Sequence, residues 1–327
     1  MDTPAIRDRT ILVTGGAGFI GSHLVDALTP QNEVRVLDDF TTGDRTHLSD
    51  DATVIEGDIR DPIALQRAAR GVDLIFHHAA LVSVAQSVDE PRQSNRTNLE
   101  ASLLVLEQAR QEDARVVVAS SAAVYGHPDE LPVSETAGIE PTSPYGVQKG
   151  ALDRYTRLYE ELYGLPTVAL RYFNVYGPRQ RGPYSGVIST FIEQARADKP
   201  ITIEGDGQQS RDFVHVRDVV RANLRAATTD AVGEAYNIGT GTRTAIADLA
   251  ETIRDATGST SPVVHREPRV GDIRHSGADV SKASRELGFD ARIGLESGIR
   301  SLVGASEPAG QDAGTVREPH SEPESHS

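Results

Sequence analysis

The stretch Thr14-Gly15-Gly16-Ala17-Gly18-Phe19-Ile20-Gly21 constrains this chain more than any other. It follows an apolar run, Thr10–Thr14, and leads into Phe19–Leu28, whose apolar residues recur at helical spacing. A strand, a turn of spaced glycines and a helix form the opening unit of a parallel sheet built to hold a dinucleotide. Gly15 suits the tight turn, Gly18 lets backbone approach a pyrophosphate, and Gly21 lets the helix pack closely on the strand. The helix start at Phe19 and Ile20 offers N–H groups to the phosphates. Asp38 ends the next apolar run. An acid there accepts bonds from the ribose hydroxyls and repels a 2′-phosphate, which favours NAD over NADP. Asp58 and Ile59, after the third run, are placed to line the adenine, although an aspartate at a strand end is also ordinary turn chemistry.

Apolar, β-branched runs and helical patterns alternate through the first half. The strand candidates are Thr10–Thr14, Val34–Asp38, Thr53–Gly57, Leu74–His78, Val116–Ser120 and Thr167–Phe173. Helices are expected at Phe19–Leu28, Pro62–Ala69, Ser94–Glu112 and Tyr145–Tyr163. Continuous Val/Ile/Leu runs suit strands buried on both faces. The fold expected is α/β: a Rossmann-type doubly wound parallel sheet with a smaller mixed α/β substrate-binding domain. The rhythm changes near residue 172, so residues 1–172 read as the cofactor domain and 173–304 as the substrate domain. Segments near 211–239 are expected to pack back on the first. Helices in the second half are expected at Gly186–Ala197, Val216–Ala227, Ile246–Thr257 and Ser281–Leu287. Residues 305–327, rich in Pro, Glu, Ser, Gly and His, read as a disordered tail.

The chain has 327 residues, of which 38% are hydrophobic, enough for a sizeable core. Without cysteine it can have no disulfide, thiolate zinc site or cysteine nucleophile, and no metal site is expected. No apolar run is long enough to span a membrane, and the N-terminus lacks the apolar region of a signal peptide, so a cytoplasmic protein is expected. The net charge of -15 argues against nucleic acid as a partner. Only Lys149, Lys199 and Lys282 are lysines; the other basic residues are arginine. An acidic, lysine-poor chain resembles proteins of halophilic archaea, in which high salt screens self-repulsion. A GC-rich genome would give the same arginine bias. Either way, Lys149 stands out.

Lys149 lies four residues after Tyr145, on the same face of an expected helix that Pro144 opens. A free tyrosine, with a pKa near 10, is a poor base at neutral pH. A nearby ammonium favours the phenolate, and the tyrosine can then serve as general base and later as general acid. Ser121 follows the fifth strand, whose C-terminal end faces the cofactor crevice, and its hydroxyl can bond the reacting oxygen.

TGGAGFIG, SSAAVYG and the Tyr145–Lys149 pair together resemble the extended short-chain dehydrogenase/reductase family, over about Thr10 to Leu302. Within it the chain looks most like the nucleotide-sugar 4-epimerases of the UDP-glucose type. The resemblance implies Tyr145, Lys149 and Ser121 as catalytic residues. It implies NAD held by Gly15, Gly18, Phe19, Ile20, Gly21, Asp38, Asp58, Ile59, Ala79, Ala80, Asn98, Tyr145 and Lys149. Asn174 and Arg211 then match residues on the nucleotide diphosphate, Arg269 a second phosphate arginine, and Asp272 an acid for the uridine ribose. Arginines for phosphate and a carboxylate for a ribose diol are what such a ligand needs. Ser276 matches a residue lining the sugar pocket, where a small side chain implies that UDP-GlcNAc and UDP-GalNAc are accepted besides UDP-glucose and UDP-galactose. A homodimer is also implied, joined by helices here at Ser94–Glu112 and Tyr145–Tyr163.

Departures narrow the reading. Sugar 4,6-dehydratases of the family carry an Asp-Glu pair just after the catalytic hydroxyl, and glucuronate decarboxylases a glutamate in that stretch; this chain has Ala122 and Ala123. The reading is therefore NAD-dependent inversion at C4 of a UDP-hexose. A UDP-glucuronate 4-epimerase or a nucleotide-sugar reductase or dehydratase on the same scaffold is the alternative. A non-catalytic NAD-binding sensor is the third reading, and such a protein would be expected to have lost Tyr145 or Lys149.

Overall fold

The computed structural model describes residues 5–181, 186–268 and 273–304. In chain order the first half runs β1 (Thr10–Thr14), α1 (Phe19–Leu28), β2 (Glu33–Asp38), β3 (Thr53–Glu56), α2 (Pro62–Ala69), β4 (Leu74–His77), α3 (Val84–Asp89), α4 (Pro91–Asn95), α5 (Ala101–Glu112), β5 (Arg115–Ser121), α6 (Pro144–Tyr163) and β6 (Thr167–Tyr172). The second half adds β7 (Asn174–Tyr176), α7 (Val187–Arg196), β8 (Ile201–Glu204), β9 (Ser210–Arg211), β10 (Phe213–His215), α8 (Val216–Ala226), β11 (Glu234–Ile238), β12 (Thr244–Ala245), α9 (Ile246–Thr257), β13 (Val263–Arg266) and α10 (Leu295–Gly304).

Seven strands form one parallel sheet in the order β11-β6-β5-β4-β1-β2-β3. The order reverses between β1 and β4, and a crevice opens there at the carboxyl ends of the strands. Side-chain alternation explains the two cores. Ile11 and Val13 of β1 join the core under α1 and α8, with Leu24, Val25 and Val219. Leu12, pointing the other way, joins Leu65, Val105, Leu106 and Leu152 under α2, α5 and α6. A third cluster, with Phe191, Ile201, Leu249, Ile253 and Ile299, holds α7, α9 and α10 around the β8–β13 pair. The stretch Arg211–Gly239 contributes α8, packed on α1, and β11, the seventh strand, paired with β6.

Two expected helices differ. Ser94–Glu112 is not one regular helix: a π-turn, Arg96–Glu100, separates α4 from α5. The wide turn places Asn98 inward, fully buried, a local widening that periodicity alone does not register. Ser281–Leu287 likewise closes as a π-turn, Ala283–Leu287. The helices α3 and α10 were not anticipated. The tail, 305–327, lies outside the described residues.

Candidate active site

The glycine turn is shaped by contacts that leave no room for a side chain. Gly15 has φ +66°, and a Cβ there would lie 2.6 Å from the Ala79 nitrogen. A Cβ on Gly21 would collide with the Gly15 carbonyl oxygen. The turn is closed by Gly18 N–H donating to Gly15 O at 3.1 Å, and Phe19 and Ile20 open α1, whose first N–H groups have no intrahelical acceptor. Asp38 is buried at the end of β2. Its Oδ2 accepts from Ala17 N and its Oδ1 from Phe40 N, both at 2.9 Å. Burial pushes its carboxyl above the usual range, and the two backbone bonds oppose this. Beside it a cavity of about 470 Å³ is lined by Phe40, Thr42, Gly43, Asp44, Arg45 and Glu56. A tight glycine turn that a Cβ at Gly15 or Gly21 would break, a helix N-terminus, a buried acid and an open cavity beyond it fit a dinucleotide. Asp58 is held by Arg60, whose guanidinium keeps its carboxyl below the usual range. Ile59 turns its side chain into the core, leaving its backbone as the part that can face a ligand.

Ser121, Tyr145 and Lys149 come together. Ser143 caps α6 by accepting from Gly146 N at 3.1 Å, and Pro144 occupies the first turn. The cap fixes Tyr145 at the start of the helix, where its own N–H donates to Ser87 Oγ. Burial raises the Tyr145 phenol, and a hydrogen bond with Ser121 opposes the rise. Lys149, 4% exposed, donates from Nζ to the Ala119 carbonyl at 2.8 Å and lies 5.9 Å from the centre of the Tyr145 ring. Burial lowers its pKa to about 8, so it can change charge near neutral pH. The neighbouring Ser120 is committed elsewhere. Its hydroxyl donates to Asp153 Oδ2 at 3.2 Å, and Asp153 forms a two-pronged pair with the buried Arg171 at 2.8 and 2.9 Å. Arg171 continues to Tyr125, and Tyr125 to Asn237 of β11.

Of the residues matched to the sugar nucleotide, Asn174, Arg211 and Ser276 are gathered by backbone bonds. Asn174 N donates to Asp212 O at 2.9 Å, and Ser276 N to Ser210 O at 3.0 Å, on either side of Arg211. Asp212, fully buried, fixes the surrounding loops: its carboxylate accepts from Thr240 N, Thr240 Oγ1, Gly241 N and Ala278 N. Arg274 grips Asp206 with two bonds of 2.8 Å across the same face. Arg269 and Asp272 lie outside the described residues.

Ala79 lies against Gly15, and its N–H donates to Thr14 Oγ1 at 3.3 Å; Ala80 follows in the same wall, and Leu81 N donates to Asn98 Oδ1 at 2.7 Å. His77, Ser102 and Gln148 complete a buried network here that sequence reasoning missed. Its partners are tens of residues apart, and no local spacing signals them. Among the described residues no helix is long and apolar enough to cross a membrane, and no three His, Asp or Glu side chains group to hold a metal.

A profile of the NAD dependent epimerase/dehydratase family matches residues 11–239. The UDP-glucose 4-epimerase of Mycolicibacterium smegmatis is 38% identical over 303 residues, covering 89% of this chain and 96% of that protein. The solved UDP-N-acetylglucosamine 4-epimerase of Methanobrevibacter ruminantium, in complex with UDP-N-acetylmuramic acid, has a TM-score of 0.88 at 38% identity, over 91% of this chain and 98% of that one. The UDP-glucose 4-epimerase of Thermotoga maritima, with UDP-glucose, has a TM-score of 0.87 at 39% identity, over 90% and 97%. The glycine cradle, the Tyr145–Lys149 helix and these likenesses agree: the chain belongs to the NAD dependent epimerase/dehydratase family, and its cofactor is NAD.

Proposed function

We propose that the protein inverts the C4 hydroxyl of a UDP-hexose through a 4-keto sugar. The observation that carries this is the Ser121–Tyr145–Lys149 cluster followed by two alanines, Ala122 and Ala123, where elimination or decarboxylation chemistry would want an acid. The family name itself spans epimerases and dehydratases, so this local chemistry has to discriminate between them. Glycine cradle and Asp38 hold the cofactor, which when bound supplies the hydride acceptor and returns the hydride at C4. Tyr145 takes the C4 hydroxyl proton and later returns it. Ser121, bonded to Tyr145, shares the hold on the C4 oxygen. The Lys149 ammonium favours the phenolate. Asn174, Arg211 and Arg269 hold the diphosphate and Asp272 the uridine ribose, so the sugar can turn while its nucleotide stays fixed. Ser276, being small, leaves room for an N-acetyl group. The division at residue 172 into a cofactor half and a sugar-nucleotide half belongs to this proposal.

The test is nuclear magnetic resonance of the purified protein, in high salt, with UDP-glucose, UDP-GlcNAc and UDP-glucuronate in turn and no added reductant. The C4 epimer of UDP-glucose is expected, and that of UDP-GlcNAc with it; Tyr145→Phe should lower the rate by about 10²–10⁴. Epimer from UDP-glucuronate alone would transfer the reading to a uronate epimerase. No epimer from any of the three, or a Tyr145→Phe protein as active as the wild type, would refute the mechanism.

We further propose that the protein works as a homodimer. Val84 and Val88 of α3, Leu104 of α5, and Val147, Tyr155 and Leu162 of α6 are all exposed. The three on α6 recur at intervals that keep them on one face. An apolar face spread over adjacent helices fits a second copy of the chain.

A further inference from the structure

His77 ends β4 and is 2% exposed. Its Nδ1 lies 2.8 Å from Thr14 Oγ1 and its Nε2 2.7 Å from Ser102 Oγ. The direction of each bond can be worked out. Ser102 Oγ lies 2.8 Å from the Asn98 carbonyl oxygen, which can only accept. The Ser102 hydroxyl therefore donates to Asn98 and receives from His77 Nε2–H. In a neutral ring Nδ1 is then an acceptor, and Thr14 donates to it. Thr14 Oγ1 keeps a lone pair for Ala79 N–H, 3.3 Å away. Every donor and acceptor along the chain is used once the ring is neutral. Burial, with the Lys149 ammonium and His78 nearby, lowers the His77 pKa to about 3, which agrees.

The chain has two anchors on one short segment. Thr14 holds the first residue, Ala79. At the other end Asn98 accepts from Leu81 N at 2.7 Å and donates to Leu81 O at 2.9 Å. Asn98 also donates to Gln148 Oε1 at 2.9 Å, which accepts from Ser94 Oγ at 2.7 Å as well. Gln148 directly precedes Lys149 on α6. The His77–Ser102 link thus joins the anchor on the glycine-turn strand to the anchor on the catalytic helix. Asn98 reaches both because it sits in the π-turn.

We propose that His77 is a positioning residue, locked as its Nε2–H tautomer, that sets the Ala79–Leu81 wall against the Tyr145–Lys149 helix. The inference rests on the reading of that wall as the nicotinamide side of the cofactor crevice. Its role is geometric: a wall displaced by a fraction of an ångström moves the site of hydride transfer relative to Tyr145, while the sugar-nucleotide contacts lie elsewhere.

The first test is long-range ¹H–¹⁵N correlation on protein with ¹⁵N-labelled histidine, the His77 signals being assigned by their absence in His77→Gln. A ring protonated on Nε2 alone and unchanged from pH 8 to pH 5 is expected; an Nδ1–H ring, or one titrating near its ordinary pKa, would overturn the proposal. The second test compares Thr14→Val, which keeps the shape but not the hydroxyl, with Thr14→Ser, which keeps the hydroxyl. Thr14→Val should lose about tenfold or more in kcat with KM for the UDP-sugar within about twofold, and Thr14→Ser should regain most of the loss. An undiminished kcat in Thr14→Val, or a Thr14→Ser no better than Thr14→Val, would also overturn it. Where Thr14→Val does not fold, Ser102→Ala cuts the same chain on the other side of the ring and is read in the same way. The tautomer result stands whether or not the wild type epimerises a UDP-sugar, so a failure of the functional reading is seen separately.

Discussion

Lys149 illustrates how a buried candidate catalytic side chain costs stability. Its pKa falls from 10.5 to about 8 on burial, so between those values the folded chain binds fewer protons than the unfolded one. Stability attributable to Lys149 therefore rises with pH across that window, and below it the buried ammonium costs roughly 3 kcal/mol. The bond to Ala119 O offsets part of the cost. Lys149→Met should be inactive yet more stable than the wild type near pH 7, with the difference shrinking toward pH 10.5. Calorimetric melts at a series of pH values check this, and a difference that does not vary with pH would mean that folding leaves the lysine's pKa unshifted. Ser120 and Ser121 make a companion point. Adjacent in sequence, they face opposite sides of β5, one bonded to the buried Asp153–Arg171 pair and the other to Tyr145.

At the scale of elements, α6 carries Tyr145 and Lys149 on one face and an apolar strip on another. Leu162 lies 63% exposed near its C-terminal end, far along the helix from Tyr145. Leu162→Arg should convert a dimer to a monomer in light-scattering chromatography while leaving the fold intact; an unchanged mass would remove this face from the interface. The first-half elements were legible because each writes its period into a contiguous stretch: five expected strands of the parallel sheet differ from the observed ones by a residue or so at an end, and α1 and α2 match as read. The glycine turn and the Tyr145–Lys149 spacing were legible for the same reason. The π-turn at Asn98 was not, because the residues around it keep helical composition while one extra residue enters the turn. Nor were His77, Ser102, Asp153, Arg171 and Asp212, each of which has a partner brought to it from far along the chain by the fold. Short strands such as β9 and β12, two residues each, hold no periodicity to read.

For the whole molecule the dominant quantity is charge. A net charge of -15 repels itself, and the range of that repulsion shrinks from about 10 Å at 0.1 M salt to about 3 Å at 1 M. If the acidity is an adaptation to salt, the melting temperature should climb steadily between 0.1 and 2 M potassium chloride. A flat response would assign the arginine bias to codon usage instead. The seventh strand has a different consequence. β11 is drawn from the second half of the chain but hydrogen-bonds along β6 inside the first-half sheet. A fragment cut at residue 172 would leave β6, a buried strand, with a bare edge of unpaired backbone groups, an invitation to pair with another copy. The first half of the chain therefore cannot be lifted out with a single cut. Exchanging halves between relatives by a single join at residue 172 would pair β6 of one with β11 of the other, so a clean exchange needs splices on both sides of the 211–239 return.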